Sequence, residues 1–389
     1  MRLPYLFLNL LVAQLFGQEV HELQSECLNE ARLMSKLLTE REYSKHKIPK
    51  KGGITVSVEF WIQEISSISE MTNDFEMEIY INEMWTDPNL KFSHLGACKA
   101  NLTLDEQTLN KLWKPNTCFV NSKFAEIYES PFQNVFLTLF DNGTVWVNYR
   151  LRVKGPCEME LTNFPMDTQA CRLNYQRSKL ENCLFSLSAE SIYSALSYSF
   201  SYNNEEVRLQ WNSQRKPVFA IQPVCHPISL EKIRHFFTDK DYPAGKWDEL
   251  IVTFVFERRY MWYFLQAYLP TFFSIFISWI AFSLGPQAIT PRTMIGVNAL
   301  LSMIFHFGSI MKNLPKVSYI KAIDVWMLGS MLFVFLSLVE LAVVGYTLQR
   351  RRGKEHIVEI IDRFARYLFP AGFSLFNIIY WAKFGFKVL

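Results

Sequence analysis

The chain has 389 residues, half of them apolar, and a net charge of +3. That length exceeds what one ordinary core fills and fits two domains of the usual size. A charge so near balance singles out no partner class, and a mean hydropathy of +0.04 conceals a sharp partition along the chain.

Behind a single Arg2, the run Leu6 to Phe16 is mostly apolar and ends at Gly17 and Gln18. This is the build of a signal peptide over residues 1–18, shorter than the ~20 apolar residues a membrane anchor requires. From Glu19 to about Glu257 the chain is mixed and polar. Ile54, Val56, Val58, Phe60 and Ile62 alternate with Thr55, Ser57, Glu59 and Trp61, the two-residue period of a half-buried strand. Phe75, Met77, Ile79 and Ile81 alternate likewise, which places Glu76, Glu78, Tyr80 and Asn82 on the opposite face. A hairpin signal at Asp141-Asn142-Gly143 leads into Val145, Val147, Tyr149, Leu151 and Val153 on one side and Trp146, Asn148, Arg150 and Arg152 on the other. Val252, Phe254 and Phe256 form a last strand that runs into the membrane region. Many short strands separated by turns predict a β-sandwich over residues 19–259.

All seven cysteines precede the first apolar span, where the compartment is oxidising. Cys157 and Cys171 enclose a short loop and are expected to pair; Cys98 with Cys118 is the second expected pair, and Cys27, Cys183 and Cys225 are left unassigned. The sequons at Asn101 and Asn142 suit an outer, glycosylated domain.

From residue 260 onward four apolar spans are expected: Tyr263 to Leu284, Pro291 to Met311, Val325 to Val344 and Tyr367 to Phe384. The basic cluster Arg350, Arg351, Arg352 and Lys354 puts the connector at about 349–361 in the cytoplasm and residues 19–259 outside. Within the second span, Thr290, Met294, Asn298, Leu301, Phe305, Gly308 and Lys312 recur at steps of three and four and share one helix face. Read alone, so weakly polar a stripe packs between helices. Between Arg258 and Ile323 there is no Asp or Glu, while Arg292 and Lys312 flank that helix. Acidic rings serve cation pores and basic ones anion pores, so the charge pattern reads as anion-conducting. The scattered histidines, with no metal-ligand spacing, nucleophile elbow or phosphate-cradling glycine loop, argue against an enzyme and imply neither metal nor cofactor.

The stretch Cys157-Glu-Met-Glu-Leu-Thr-Asn-Phe-Pro-Met-Asp-Thr-Gln-Ala-Cys171 closely resembles the signature of the Cys-loop receptors, the pentameric ligand-gated channels. Trp85-Thr-Asp-Pro-Asn-Leu90, Trp113-Lys-Pro-Asn116 and Leu314-Pro-Lys-Val-Ser-Tyr-Ile-Lys-Ala-Ile-Asp-Val-Trp326 extend the resemblance along nearly the whole chain. Through Tyr242 to Leu250 and Thr293 to Leu301 it is most similar to invertebrate chloride channels gated by acetylcholine or amines.

The resemblance implies a β-sandwich extracellular domain on a four-helix transmembrane bundle, assembled as a pentamer of identical or related subunits in the plasma membrane of neurons or muscle, in some cases at synapses. It implies an agonist site built from Phe119, Ser199, Phe200, Tyr202, Tyr242 and Trp247 on one subunit and Tyr80, Asn82, Asn148 and Arg150 on its neighbour. Any one of these aromatics alone would sooner be core; together they could cage an organic cation. Amino-acid receptors generally carry Arg where this chain has Asn82, which favours acetylcholine or a biogenic amine, with a GABA- or glycine-type agonist kept open by Arg150. The resemblance lines the pore with Thr290, Pro291, Arg292, Met294, Asn298, Leu301, Phe305 and Lys312. Coupling falls on Phe164, Pro165, Asp167, Arg258, Leu314 and Pro315, with Asp167 and Arg258 of opposite sign.

Three departures stand out. Residues 177–198 resemble an insertion ahead of Ser199, the cytoplasmic connector is short, and Thr238 and Glu249 occupy the places of the second disulfide of glycine receptors. Competing readings are a non-conducting accessory subunit and a cation-selective member.

Overall fold

The computed structural model describes residues 27–50, 52–177, 205–220, 228–242, 245–285, 287–350 and 355–385. The expected leader, residues 178–198, Ser199, Phe200, Tyr202, Cys183, Cys225 and Arg351 to Lys354 lie outside them.

Strand β1 (Ile54–Ser69) pairs antiparallel with β2 (Asp74–Thr86), and β2 with β7 (Thr144–Pro156). The alternation read from the sequence holds where it concerns apolar residues: Val56, Val58, Phe60, Phe75, Met77 and Ile79 are fully buried. Such side chains contribute about 1.5–3 kcal/mol each when taken from water. The sheet is completed by β3 (Asn101–Leu104), β5 (Phe124–Ile127), β6 (Val135–Phe140), β9 (Val207–Trp211) and β10 (Val218–Ala220). Facing it is a second sheet of four strands in the order β11 (Ile228–Tyr242), β12 (Gly245–Arg258), β8 (Thr168–Arg177) and β4 (Thr117–Phe119). Phe75 from the first sheet meets Phe254 and Phe256 from the second at ring separations of 5.6 and 6.1 Å, so the two form the expected sandwich. The β6–β7 hairpin turns at Gly143, with φ of +87°, where a Cβ would lie 2.5 Å from the Asp87 carbonyl oxygen. Only glycine satisfies both demands.

Cys157 is bonded to Cys171 as expected, but Cys98 is bonded to Cys27, not to Cys118. The reason lies in the backbone ahead of helix α1 (Glu30–Ser35). Leu28 bridges Ala97 in parallel, donating to the Gly96 carbonyl at 3.0 Å and accepting from the Cys98 N–H at 3.3 Å. That register sets Cys27 beside Cys98, with Cα atoms 4.8 Å apart. Cys118, on β4 in the other sheet, is itself disulfide-bonded.

Helix α2 (Glu106–Leu109) lies between β3 and β4. Strand β12 ends at Arg258, and a helical run, α3 (Met261–Ser283), begins three residues later. It is followed by α4 (Ile289–Lys312), α5 (Ala322–Arg350) and α6 (Glu355–Phe384). Of four expected spans, three described helices, α3 to α5, are long and apolar enough to cross a membrane. Helix α6 is long enough, but its first turns carry Glu355, Glu359, Asp362, Arg363 and Arg366. It joins the bundle by its aromatic face: Tyr380 lies 5.1 Å from Trp326 by ring centres, and its hydroxyl contacts that of Tyr268 at 2.7 Å.

Glu83 is buried between the sheets, accepting from the hydroxyls of Thr117 and Tyr175. Burial pushes its carboxyl above the usual range, and the two hydrogen bonds offset this only in part. A group whose folded pKa is raised contributes stability that is full below its unfolded pKa, ~4.3, and lost as pH rises through the folded value. Glu83→Gln keeps an acceptor but cannot ionise. Its melting temperature relative to wild type, measured on detergent-solubilised full-length protein, should therefore rise between pH 5 and pH 8. A difference that stays level or falls over that range would contradict the assignment.

Candidate functional site

The expected agonist residues divide by strand face. Tyr80 and Arg150 are direct cross-strand partners on β2 and β7, half-buried on the sheet's outer side. Arg150 donates to the Glu78 carboxylate at 2.9 Å and lies over the rings of Tyr80 and Tyr128, at 5.7 and 4.7 Å. The Tyr128 hydroxyl hydrogen-bonds the other Glu78 oxygen. Against the cost of burial, those two partners hold the Glu78 carboxyl below its ordinary range, and Glu78 in turn raises Arg150. Glu78 and Tyr128 were not among the sequence candidates. The position of Glu78, two residues before Tyr80 on one face, was the available signal.

Asn82 differs from expectation. Although it belongs to the polar face by alternation, it is only 3% exposed, because its cross-strand neighbour Asn148 covers it and donates to its Oδ1 at 2.6 Å. Phe119, on β4, is also buried, with its ring 5.8 Å from Phe60 and 5.0 Å from Tyr175. Trp247 is buried on β12 opposite Lys240, and Tyr242 ends β11 opposite Gly245. Thr238 and Glu249 are direct cross-strand partners in this hairpin. There, Lys240 bridges to the buried Glu249 at 2.7 Å and Asn174 donates to the same oxygen at 3.1 Å. A charged hydrogen-bonded clasp thus stands where a disulfide was the comparison.

At the junction, Arg258 Nε donates to Asp167 Oδ1 at 2.7 Å and Nη2 to Oδ2 at 3.3 Å, with both side chains 2% exposed. Nη1 is bonded to Glu70, and the guanidinium lies 4.8 Å over the Phe164 ring. Burial works against the charge, but Asp167 and then Glu70 hold the guanidinium above its ordinary pKa. The pair is therefore no surface salt bridge. The disulfide loop continues onto the segment between α4 and α5. Ala322 N–H donates to Thr162 O at 2.9 Å, Ile323 N–H to Phe164 O at 3.2 Å, and Leu161 N–H to the Tyr319 hydroxyl at 2.9 Å. Phe164 also packs edge-on to Tyr263 at 4.8 Å. Among the coupling candidates, Arg258, Asp167 and Phe164 are brought together here; Pro165 and Leu314 are buried and Pro315 is half-buried. Glu70, Tyr263 and Tyr319, none of them a coupling candidate, join them, Tyr319 from within the Leu314 to Trp326 motif.

On α4 the whole expected stripe, Thr290, Met294, Asn298, Leu301, Phe305, Gly308 and Lys312, is exposed on the subunit, as is Pro291. Arg292, Gly296, Ala299 and Met303 form the opposite, buried face. Arg292 is a correction: it is 1% exposed and forks onto Asp362 of α6 at 3.0 and 3.1 Å instead of sharing the exposed stripe. Asn101 and Asn142 are both exposed, the latter at the β6–β7 turn. Among the described residues no cluster of His, Cys, Asp and Glu could hold a metal.

The family description "Neurotransmitter-gated ion-channel ligand binding domain" matches residues 30–190, and "Neurotransmitter-gated ion-channel transmembrane region" matches residues 267–359. The chain is 45% identical over 401 residues to the acetylcholine-gated chloride channel subunit acc-2 of Caenorhabditis elegans, covering 91% of this chain and 85% of that protein. It is 50% identical over 328 residues to the acetylcholine-gated chloride channel subunit acc-1 of the same organism, covering 84% and 65%. To that organism's serotonin-gated chloride channel mod-1 it is 41% identical over 321 residues, covering 82% and 60%. The chain thus spans under two thirds of the last two relatives.

The junction predicts a measurable coupling. Arg258→Gln leaves Asp167 buried without its partner, a change worth about 3–5 kcal/mol, and should sharply reduce surface expression and agonist-evoked current. Adding Asp167→Asn should recover part of the loss, giving a non-additive double-mutant cycle read by surface biotinylation. Strictly additive effects would mean the two side chains do not act as a unit.

Proposed function

This chain belongs to the neurotransmitter-gated ion-channel family, and we propose that it is a plasma-membrane subunit of an anion channel opened by acetylcholine or a biogenic amine, assembled as a pentamer with copies of itself or relatives. One observation carries the agonist class. Arg150, the cation that would meet an amino acid's carboxylate, is committed to Glu78 and stacked between Tyr80 and Tyr128. Asn82 at the other candidate position is uncharged and covered. A carboxylate ligand would have to displace Glu78, whereas an ammonium ligand needs aromatic faces and acidic or neutral surroundings. The relatives named for acetylcholine and serotonin agree with this choice.

A second reading, an amino-acid agonist, has one observation in its favour: Arg150 Nε is buried and lacks an acceptor. That single N–H is a weaker invitation than the fork that Glu78 already occupies.

The anion reading rests on the stretch from Arg258 to Ile323, which contains no acid, on Lys312 exposed at one end of the α4 stripe, and on the relatives' chloride selectivity. Leu301 and Phe305, exposed on that stripe at 48% and 71%, are the rings that would resist wetting in the closed state.

Recordings from oocytes expressing this chain, alone and with relatives, test the agonist and the ion together. Acetylcholine, serotonin or another amine should evoke current whose reversal potential follows chloride and ignores sodium replacement. Current evoked by GABA or glycine and by no amine would overturn the agonist class. A reversal potential tracking sodium would overturn the ion. In the same cells Leu301→Ser should open at an agonist concentration on the order of tenfold lower, or leak without agonist, a shift of about 1.4 kcal/mol in the gating equilibrium. An unchanged dose response would remove Leu301 from the gate.

A further inference from the structure

The buried face of α4 contains a charge that neither the agonist site nor the exposed stripe uses. Arg292 Nη1 and Nη2 donate to Asp362 Oδ2 and Oδ1 at 3.1 and 3.0 Å, a two-pronged bond to α6, and Nη2 lies 3.5 Å from Glu340 Oε2 on α5. The three side chains are 1%, 7% and 11% exposed. Among the described residues neither Glu340 oxygen accepts a hydrogen bond in the geometry, and its carboxyl group faces both Arg292 and Asp362. One turn further along the same face, Gly296 lets α5 approach so closely that a Cβ there would lie 2.5 Å from Leu338. Backbone and charge therefore agree on which side of α4 meets the other helices.

We propose that Asp362 and Glu340 are positioning residues that hold Arg292 out of the conduction path and fasten this end of the pore helix to the two helices behind it. The inference rests on the channel reading above and deepens it. The α4 side chains left facing away from the bundle at this end, Thr290, Pro291 and Met294, are neutral. Anion preference is then set by the absence of acids and by exposed cations elsewhere, such as Lys312, not by a bare guanidinium at Arg292. A guanidinium held two-pronged by one carboxylate has its field largely cancelled at the distance of a passing ion.

A charge swap separates this role from that of a pore charge. Arg292→Asp and Asp362→Arg, each alone, place like charges together in a buried site and should cut current by at least about tenfold. The double variant restores opposite charges with the helices exchanged. It should return surface expression and current to within about threefold of wild type. Its reversal potential should follow chloride as closely as wild type does.

A double variant that reaches the surface but shifts toward cation permeation would put position 292 in the ion path and overturn the proposal. Should the swap fail to reach the surface, the apolar set Arg292→Met, Asp362→Leu and Glu340→Gln replaces the charges altogether. Wild-type chloride dependence in that set supports the proposal, and lost chloride preference overturns it. Failure of both sets to reach the surface also overturns it, because one restores the lock and the other dispenses with it. If wild type itself followed sodium, the anion reading would fall, and the positioning role would still be judged by whether the swap matches wild type.

Discussion

Arg258 is the fixed point of the molecule. It closes the last strand of the sandwich, three residues before the first membrane helix, and it is bonded to Asp167 of the disulfide loop and Glu70 of the β1–β2 turn. A guanidinium buried this deeply is tolerable only when its charge and donors are answered, and here two elements, the disulfide loop and the β1–β2 turn, converge to answer it. Because the same disulfide loop carries the backbone bonds to Ala322 and Ile323, the outer domain reaches the segment after the pore helix through it. The two domains thus meet by polar bonds beside a buried Leu161 and a Phe164 that packs edge-on against Tyr263.

Three arginines illustrate what a sequence exposes and what it conceals. Each was conspicuous as a charge: Arg150 for a ligand, Arg258 for coupling, Arg292 for the pore. Each proves to be paired with a carboxylate far along the chain, at separations of 72, 91 and 70 residues. No local period or motif spans such distances. The Asp167 partner was legible only because the Cys-loop motif fixed it to the junction. Glu78 belonged to no motif and was marked only by sharing a strand face with Tyr80, while Asp362 had no signal of its own until the helices were brought together.

The apolar framework was far more transparent. Alternation in β1, β2 and β7 and the turn at Gly143 follow from rules that act within a few residues, and they came out as expected. Errors arose where an element is covered from outside its own strand. Asn82 is roofed by Asn148, and Glu59 is buried under Asn212, which follows the parallel strand β9. The Cys27–Cys98 bond depends likewise on a bridge between Leu28 and Ala97, and the two cysteines are 71 positions apart in the sequence. Of the agonist motif, Ser199, Phe200 and Tyr202 remain expectations from resemblance alone.

Strand β12 runs without interruption from the Trp247 end of the outer domain to Arg258 at the membrane junction. Trp247 and Arg258 lie eleven positions apart on one unbroken strand, so at about 3.3 Å per residue they are separated by roughly 36 Å of stiff backbone. The interval is odd, and odd intervals on a strand put two side chains on opposite faces. Trp247 thus lies on the face away from the core, while Arg258 continues the core-facing row of Leu250, Val252, Phe254 and Phe256. That parity makes strand length a quantised property. Loss or gain of a single residue anywhere between them would turn one of the two to the wrong side of the sheet, and only a compensating bulge could restore both.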